Sequence, residues 1–182
     1  MSPVTHALVG WLAGEAVPES RRLSAWALVA GIAPDLDGLG IVVEVATSRW
    51  DEALTWYTDY HRVLCHNLPF TALVAAAAAA HCRSWKAGGV ALVAGHLHLL
   101  GDLVGSKGPD GFVWSVPYLP GVELAWAGQW ELNAWPNVVL TLAALVVTFE
   151  LARRRGHSPV GLLSRRADAA FVEALRQRFG RI

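Results

Sequence analysis

Seven residues able to ligate a metal are scattered through an otherwise apolar chain: His6, Asp35, Asp37, His61, His66, His98 and Asp102. Imidazole and carboxylate are the ligand types that hold zinc, manganese or iron. Such groups are costly to bury alone, so in apolar helices they must be paired or metal-bound. His98 and Asp102 stand four apart and project from one helical face. Asp35 and Asp37 follow Pro34 at a helix end, from which both carboxylates can aim into one cavity. His61 and His66 are five apart, about 140° around a regular helix. They share an ion only if the helix ends between them; otherwise they serve different ions.

Four His and three Asp suit a site for two divalent ions, zinc first with manganese or iron as alternatives, leaving room for water. Three carboxylates would offset most of the charge. Each piece also has a plainer reading: His6 as a core histidine, Asp35 and Asp37 as helix caps, His98 with Asp102 as a hydrogen-bonded pair. Their coincidence in one apolar chain favours the metal site. Arg62, between two of the histidines, could clamp an anionic group bidentately or form a salt bridge to Asp59 or to a site carboxylate. Glu123, Glu131 and Asn133 could reach the site from a loop. His96 is expected to be structural or to sit behind the ligands, and His81 and His157 have no assigned role.

The elements that must position these groups read as helices. Ser2-Pro3 opens one that runs to about Ala16, carrying His6. Residues 22 to 33 form a second, ended by Pro34. A third is expected over residues 51 to 65, with Leu54, Tyr57 and His61 at helical spacing. Pro69 restarts the chain into a helix reaching Cys82, with alanine at every position from 75 to 80, which permits close helix packing. Residues 88 to 104 form the helix of His98 and Asp102. A Gly-, Pro- and Trp-rich loop from Gly105 to Pro136 follows, with Trp114, Tyr118, Trp126, Trp130 and Trp135 suited to a bilayer interface or an apolar substrate mouth. Residues 138 to 152 are the best membrane-span candidate, although this run is shorter than the roughly 20 residues a crossing needs. Residues 167 to 179 form a short amphipathic helix.

Composition agrees with this reading, since 54% of the 182 residues are hydrophobic and 16% charged, more apolar than an ordinary soluble protein. The fold class expected is an all-α, compact, membrane-associated helical bundle with one long loop. Residues 1–156 form the helical domain and residues 157–182 a basic tail. From Arg153 onward there are eight basic and two acidic residues, as expected of a cytoplasmic flank on anionic lipid. Nucleic acid is a weaker alternative partner for this tail. Cys65 and Cys82 make no disulfide framework, and the first residues do not resemble a cleavable signal peptide.

Thr5-His6, Pro34-Asp35-Leu36-Asp37, His61-Arg62 with His66, and His98 four before Asp102 resemble, in order, the signature of the YdjM-like family over roughly residues 3–150. That family is described as inner-membrane-associated metal-dependent hydrolases and is distantly similar to zinc-dependent phospholipase C and P1 nuclease. The resemblance implies a bacterial inner-membrane protein with a helix-bundle metal site acting on ester bonds. Asn67 stands where the family usually has Ser. The function expected is hydrolysis of a phosphate or other ester on an anionic or lipid-like substrate by metal-activated water. Asp35 or Asp37 would orient the water and Arg62 would hold the anion. The alternatives are a membrane protein that handles or transports metal, and a non-catalytic adaptor stapled by metal.

Overall fold

Polar side chains start most of the helices. In the computed structural model, which describes residues 1–17, 19–108 and 111–180, Ser2 accepts the Thr5 N–H to open α1 (Pro3–Glu15) and Ser20 that of Leu23 to open α2 (Arg21–Ile32). A 3-10 turn, Ala33–Leu39, leads into α3 (Gly40–Thr47), and α4 (Trp56–Tyr60) is little more than one turn. Asn67 caps α5 (Leu68–Cys82) through the Phe70 N–H, and Ser84 caps α6 (Trp85–Gly105). Then come a two-stranded antiparallel hairpin, β1 (Val116–Leu119) and β2 (Val122–Leu124), the long α7 (Trp135–Arg155), a 3-10 turn at Pro159–Leu162, and α8 (Arg165–Phe179). Each cap satisfies an amide that the first helical turn leaves without a partner. Gly156, at φ +75°, closes α7 in the left-handed region that glycine enters without strain.

Five helices run alternately up and down. α1 packs on α2, α2 on α5 and α6, and α7 on α1. The contact between α1 and α2 is backbone to backbone, because a Cβ at Gly10 would stand 2.5 Å from the Ala27 carbonyl and one at Gly31 2.6 Å from that of His6. Small residues permit this approach where lipid supplies no hydrophobic drive between helices. Ala27 and Ala30 of α2, Ala75 and Ala78 of α5, and Ala91 and Ala94 of α6 form a buried seam.

The outward faces are apolar and exposed, as at Leu142, Val146 and Phe149 of α7 and Val93 of α6. Among the described residues three segments are long and apolar enough to cross a membrane: Arg21–Thr47, Trp85–Gly105 and Trp135–Arg155. At 21 residues each, the last two extend about 31 Å, close to the bilayer's hydrocarbon thickness of about 30 Å. The run expected to stop short of a crossing at 138–152 is thus part of a longer helix. That helix gains Trp135-Pro136 at its start and carries Arg153 paired with Glu150 at 2.9 Å near its end.

The ends of the bundle differ. At one, Arg155 and His157 clamp buried Glu15, the His157 ring lying 3.0 Å from its carboxylate. Burial alone would raise the Glu15 carboxyl, but hydrogen bonds from Ser24, Arg155 and His157 outweigh it and hold it below its ordinary 4.5. α8 folds against this end through Val172 and Leu175 on Ala152. At the opposite end lie the first turn of α1, the turn after α2, the start of α5, the last turns of α6 and the Trp-rich loop.

Of the helix expected over 51–65 only α4, one turn, forms, and residues 40–47 are helical where none was expected. Tertiary bonds override local propensity here: the Arg62 and Cys65 amides donate to the Asp37 carboxylate at 3.0 and 3.1 Å rather than to a helical ladder. Arg62 accordingly sits at φ +68°, a costly conformation for a residue with a side chain. The loop from 105 to 136 is more ordered than expected, holding the hairpin of β1 and β2.

Candidate metal centre

Four donors converge at the site end: Asp35 from the turn after α2, His66 from the segment before α5, and His98 and Asp102 from α6. Their ligand atoms all lie within 4.8 Å of one another. His66 Nε2 is 3.2 Å from His98 Nε2 and 3.3 Å from Asp102 Oδ2, and His98 Nε2 is 3.5 Å from that same oxygen. Asp35 Oδ1 is 3.8 Å from each imidazole nitrogen. Donors about 2.0–2.2 Å from a tetrahedral ion stand about 3.3–3.6 Å apart. The separations of 3.2–3.8 Å lie close to that spacing, so these four groups could hold a metal ion.

The second nitrogen of each imidazole is already committed. His98 Nδ1 donates to the Gly31 carbonyl at 2.7 Å, and His66 Nδ1 donates to Asp37 Oδ2 at 3.1 Å. Each bond fixes the tautomer that turns Nε2 toward the centre, the usual arrangement behind a metal-bound histidine. Two carboxylates with two neutral imidazoles would balance one divalent ion in an apolar setting. Without a cation, burial would lower the His66 pKa, but the hydrogen bonds to Asp102 and Asp37 outweigh it and raise it to about 9. A positive charge is thus favoured at this position.

His66, His98 and Asp102 are buried, whereas Asp35 is partly exposed, so the cluster opens on the Asp35 side. Asp35 Oδ2 is buried and has no hydrogen-bond partner, leaving an acceptor beside the cluster for a ligand or a water.

The other expected site residues surround these four. Asp37 accepts from the rings of His61 and His66 and from the Arg62 and Cys65 amides, so both its oxygens are engaged. The spacing of His61 and His66 is resolved because α4 ends at Tyr60 with His61 as its cap, and the two rings meet different oxygens of one carboxylate. His6 stacks on His98 with centroids 3.7 Å apart, and its Nε2 reaches Asp102 Oδ1 at 3.1 Å. The Met1 amino group touches the same oxygen.

Arg62 forms no bridge to Asp59, whose carboxylate instead accepts from Thr55. Its guanidinium lies 3.9 Å above the Trp114 ring and donates to Ser106 Oγ at 3.2 Å. Glu123 is exposed and accepts from Ser115, and Glu131 and Asn133 are likewise outside the donor set. His96 bonds Tyr118 and is outside the donor set.

Two supporting groups carry no local sequence signal. The Gly31 carbonyl anchors His98, and only the close crossing of α1 and α2 hints at its importance. Buried Gln129 donates to the Asp102 and Leu103 carbonyls and accepts from the Trp114 amide, pinning the long loop over the site.

The sequence model of a family described as YdjM inner membrane protein matches residues 1–163. No curated protein matches the chain, and no solved structure does.

Proposed function

The chain belongs to the YdjM inner membrane protein family, and on that premise we propose that it is a membrane-embedded, metal-dependent hydrolase of phosphate or other esters. The observation that carries this reading is the convergence of Asp35, His66, His98 and Asp102 within 4.8 Å, with both histidines oriented from behind. The donor set favours one divalent cation of the zinc class. A second would draw on His6 Nε2 and Asp102 Oδ1, which pair with each other at 3.1 Å. When bound, such an ion supplies Lewis acidity and lowers the pKa of water at its open position.

The chain's own residues have separable tasks. Asp35, with one oxygen buried and without a hydrogen-bond partner, orients water or takes its proton. Asp37 holds His61, His66 and the Arg62 backbone and acts as a positioning residue. Arg62, flattened on Trp114, offers its guanidinium to an anionic group. Exposed Leu36, Leu39, Val42 and Val45 beside the site suit a substrate with an apolar portion that approaches from the bilayer.

Charge placement supports a sidedness. Every described Lys and Arg except Arg49, Arg62 and Lys107 lies at or near the end opposite the cluster. Under the positive-inside tendency that end is cytoplasmic, so the centre opens toward the other face. The transport alternative gains less support, because beneath the cluster the interior is the alanine seam rather than a line of polar groups.

The test uses the full chain in mild detergent, with elemental analysis and hydrolysis of a generic phosphodiester and carboxylester, before and after chelation and zinc return. Metal at about one equivalent, lost in His98→Ala, with hydrolysis that follows the metal, is expected. Stoichiometric metal without turnover across a broad ester panel would replace hydrolysis with a structural role, and retention of full metal by both His98→Ala and Asp102→Ala would remove the centre itself.

A further inference from the structure

At the basic end, remote from the metal cluster, a cavity of about 390 Å³ lies between the start of α2, the start of α8 and the 157–162 segment. Trp11, Ala25 and Leu28 give it an apolar wall; Arg21, Arg22 and Arg165 give it a cationic one. Arg21 is partly engaged, donating to the Gly156 carbonyl at 3.3 Å. No carboxylate pairs with Arg22 or Arg165 among the described residues. The acid that lines the cavity, Asp168, is buried and already accepts from the Ser158 amide and hydroxyl at 2.7 and 2.6 Å. His157 is turned to Glu15.

All three arginines are exposed and free to turn toward a ligand in the cavity. Arg21 and Arg22 open α2, whose first turn holds no acid, and Arg165 opens α8, whose one first-turn acid, Asp168, is taken up by Ser158. Cations at helix N-termini oppose the macrodipole, and here three arginines from the first turns of two helices line one cavity. An anion seated there would answer both the dipoles and the arginines, and the wall of Trp11 and Leu28 would receive an apolar group attached to it.

We propose that this cavity is a binding site for a phosphate group carrying an apolar moiety, the chemistry of an anionic phospholipid headgroup or of a soluble phosphate ester. The inference does not rest on the metal centre. Its position at the cationic end matches the leaflet whose anionic lipids attract basic segments.

The experiment titrates the full chain in neutral detergent with dioctanoyl phosphatidylglycerol, dioctanoyl phosphatidylcholine, glycerol phosphate and inorganic phosphate, followed by calorimetry. Saturable binding of phosphatidylglycerol over phosphatidylcholine is expected. It should weaken about tenfold or more in Arg22→Gln/Arg165→Gln, which removes two charge-assisted hydrogen bonds to the phosphate, and stay unchanged in Arg166→Gln/Arg178→Gln, which removes equal charge outside the cavity lining. Ala25→Trp fills the cavity while leaving every arginine, so it too should abolish binding, and the thermal unfolding of each variant reports folding. Cavity-dependent binding of glycerol phosphate or inorganic phosphate with affinity equal to the lipid's would assign the site to a soluble ester. Equal weakening in both double variants, or binding untouched by Ala25→Trp, would reduce the effect to general surface charge and overturn the proposal.

Discussion

Asp37→Asn separates a ligand from a group that aims ligands. The carboxylate accepts four hydrogen bonds of 3.0–3.1 Å, three of them on Oδ2 and one, from His61, on Oδ1. The amide can keep its oxygen toward the Oδ2 donors and turn its NH₂ to His61, whose ring can present a bare nitrogen. The backbone bonds therefore survive, and what disappears is the charge. Hydrogen bonds to ionised groups contribute about 1 kcal/mol more than neutral ones, and the His66 Nδ1 bond loses that increment together with the basicity it lends Nε2. Supporting hydrogen bonds of this type typically change metal affinity about 10- to 100-fold, or about 1.4–2.7 kcal/mol. Competition for zinc against a chromophoric chelator should place Asp37→Asn in that interval, with His98→Ala far weaker. An affinity within about twofold of wild type would mean that His66 needs no support from Asp37; a loss as large as that of His98→Ala would make Asp37 a direct ligand.

Gly31→Ala places a methyl against the His6 carbonyl and should cost about 1–3 kcal/mol while shifting the carbonyl that holds His98; lower thermal stability and lower zinc affinity in the same variant would show it, and a fully wild-type protein would contradict the close crossing of α1 and α2. Glu15 has a lowered folded pKa, so its stabilising contribution is complete above 4.5 and is lost as pH falls through that value toward the native one; Glu15→Gln should be less stable near neutrality and converge with wild type in acid, and parallel curves would refute the clamp. For sidedness, with Cys65 and Cys82 replaced by Ala, Trp50→Cys should react with an impermeant maleimide added outside spheroplasts, and Leu163→Cys only after lysis; the reverse pattern would invert the proposed orientation.

Much of the helical framework was legible in the sequence because its signals are local. Ser2-Pro3 opens a helix directly before an apolar run, and Pro34 and Pro69 mark boundaries. The candidate chemistry was legible as well, since histidine and aspartate inside apolar helices have few benign explanations. His98 and Asp102 on one face follow from 3.6 residues per turn.

The division of labour among the seven residues was not legible. Whether Asp35 or Asp37 faces the cluster depends on the turn that ends α2 and on which amides reach each carboxylate. Leu54, Tyr57 and His61 have helical spacing, but past Tyr60 the chain gives up the ladder to bond Asp37, a partner more than twenty residues away that no local pattern encodes. The Gly31 carbonyl and Gln129 matter only because helices and a loop from distant parts of the chain meet there. Local physics thus set the helices and the kinds of donor, while long-range packing decided which donors meet, which stand behind them, and that arginines from separate stretches gather at the opposite end.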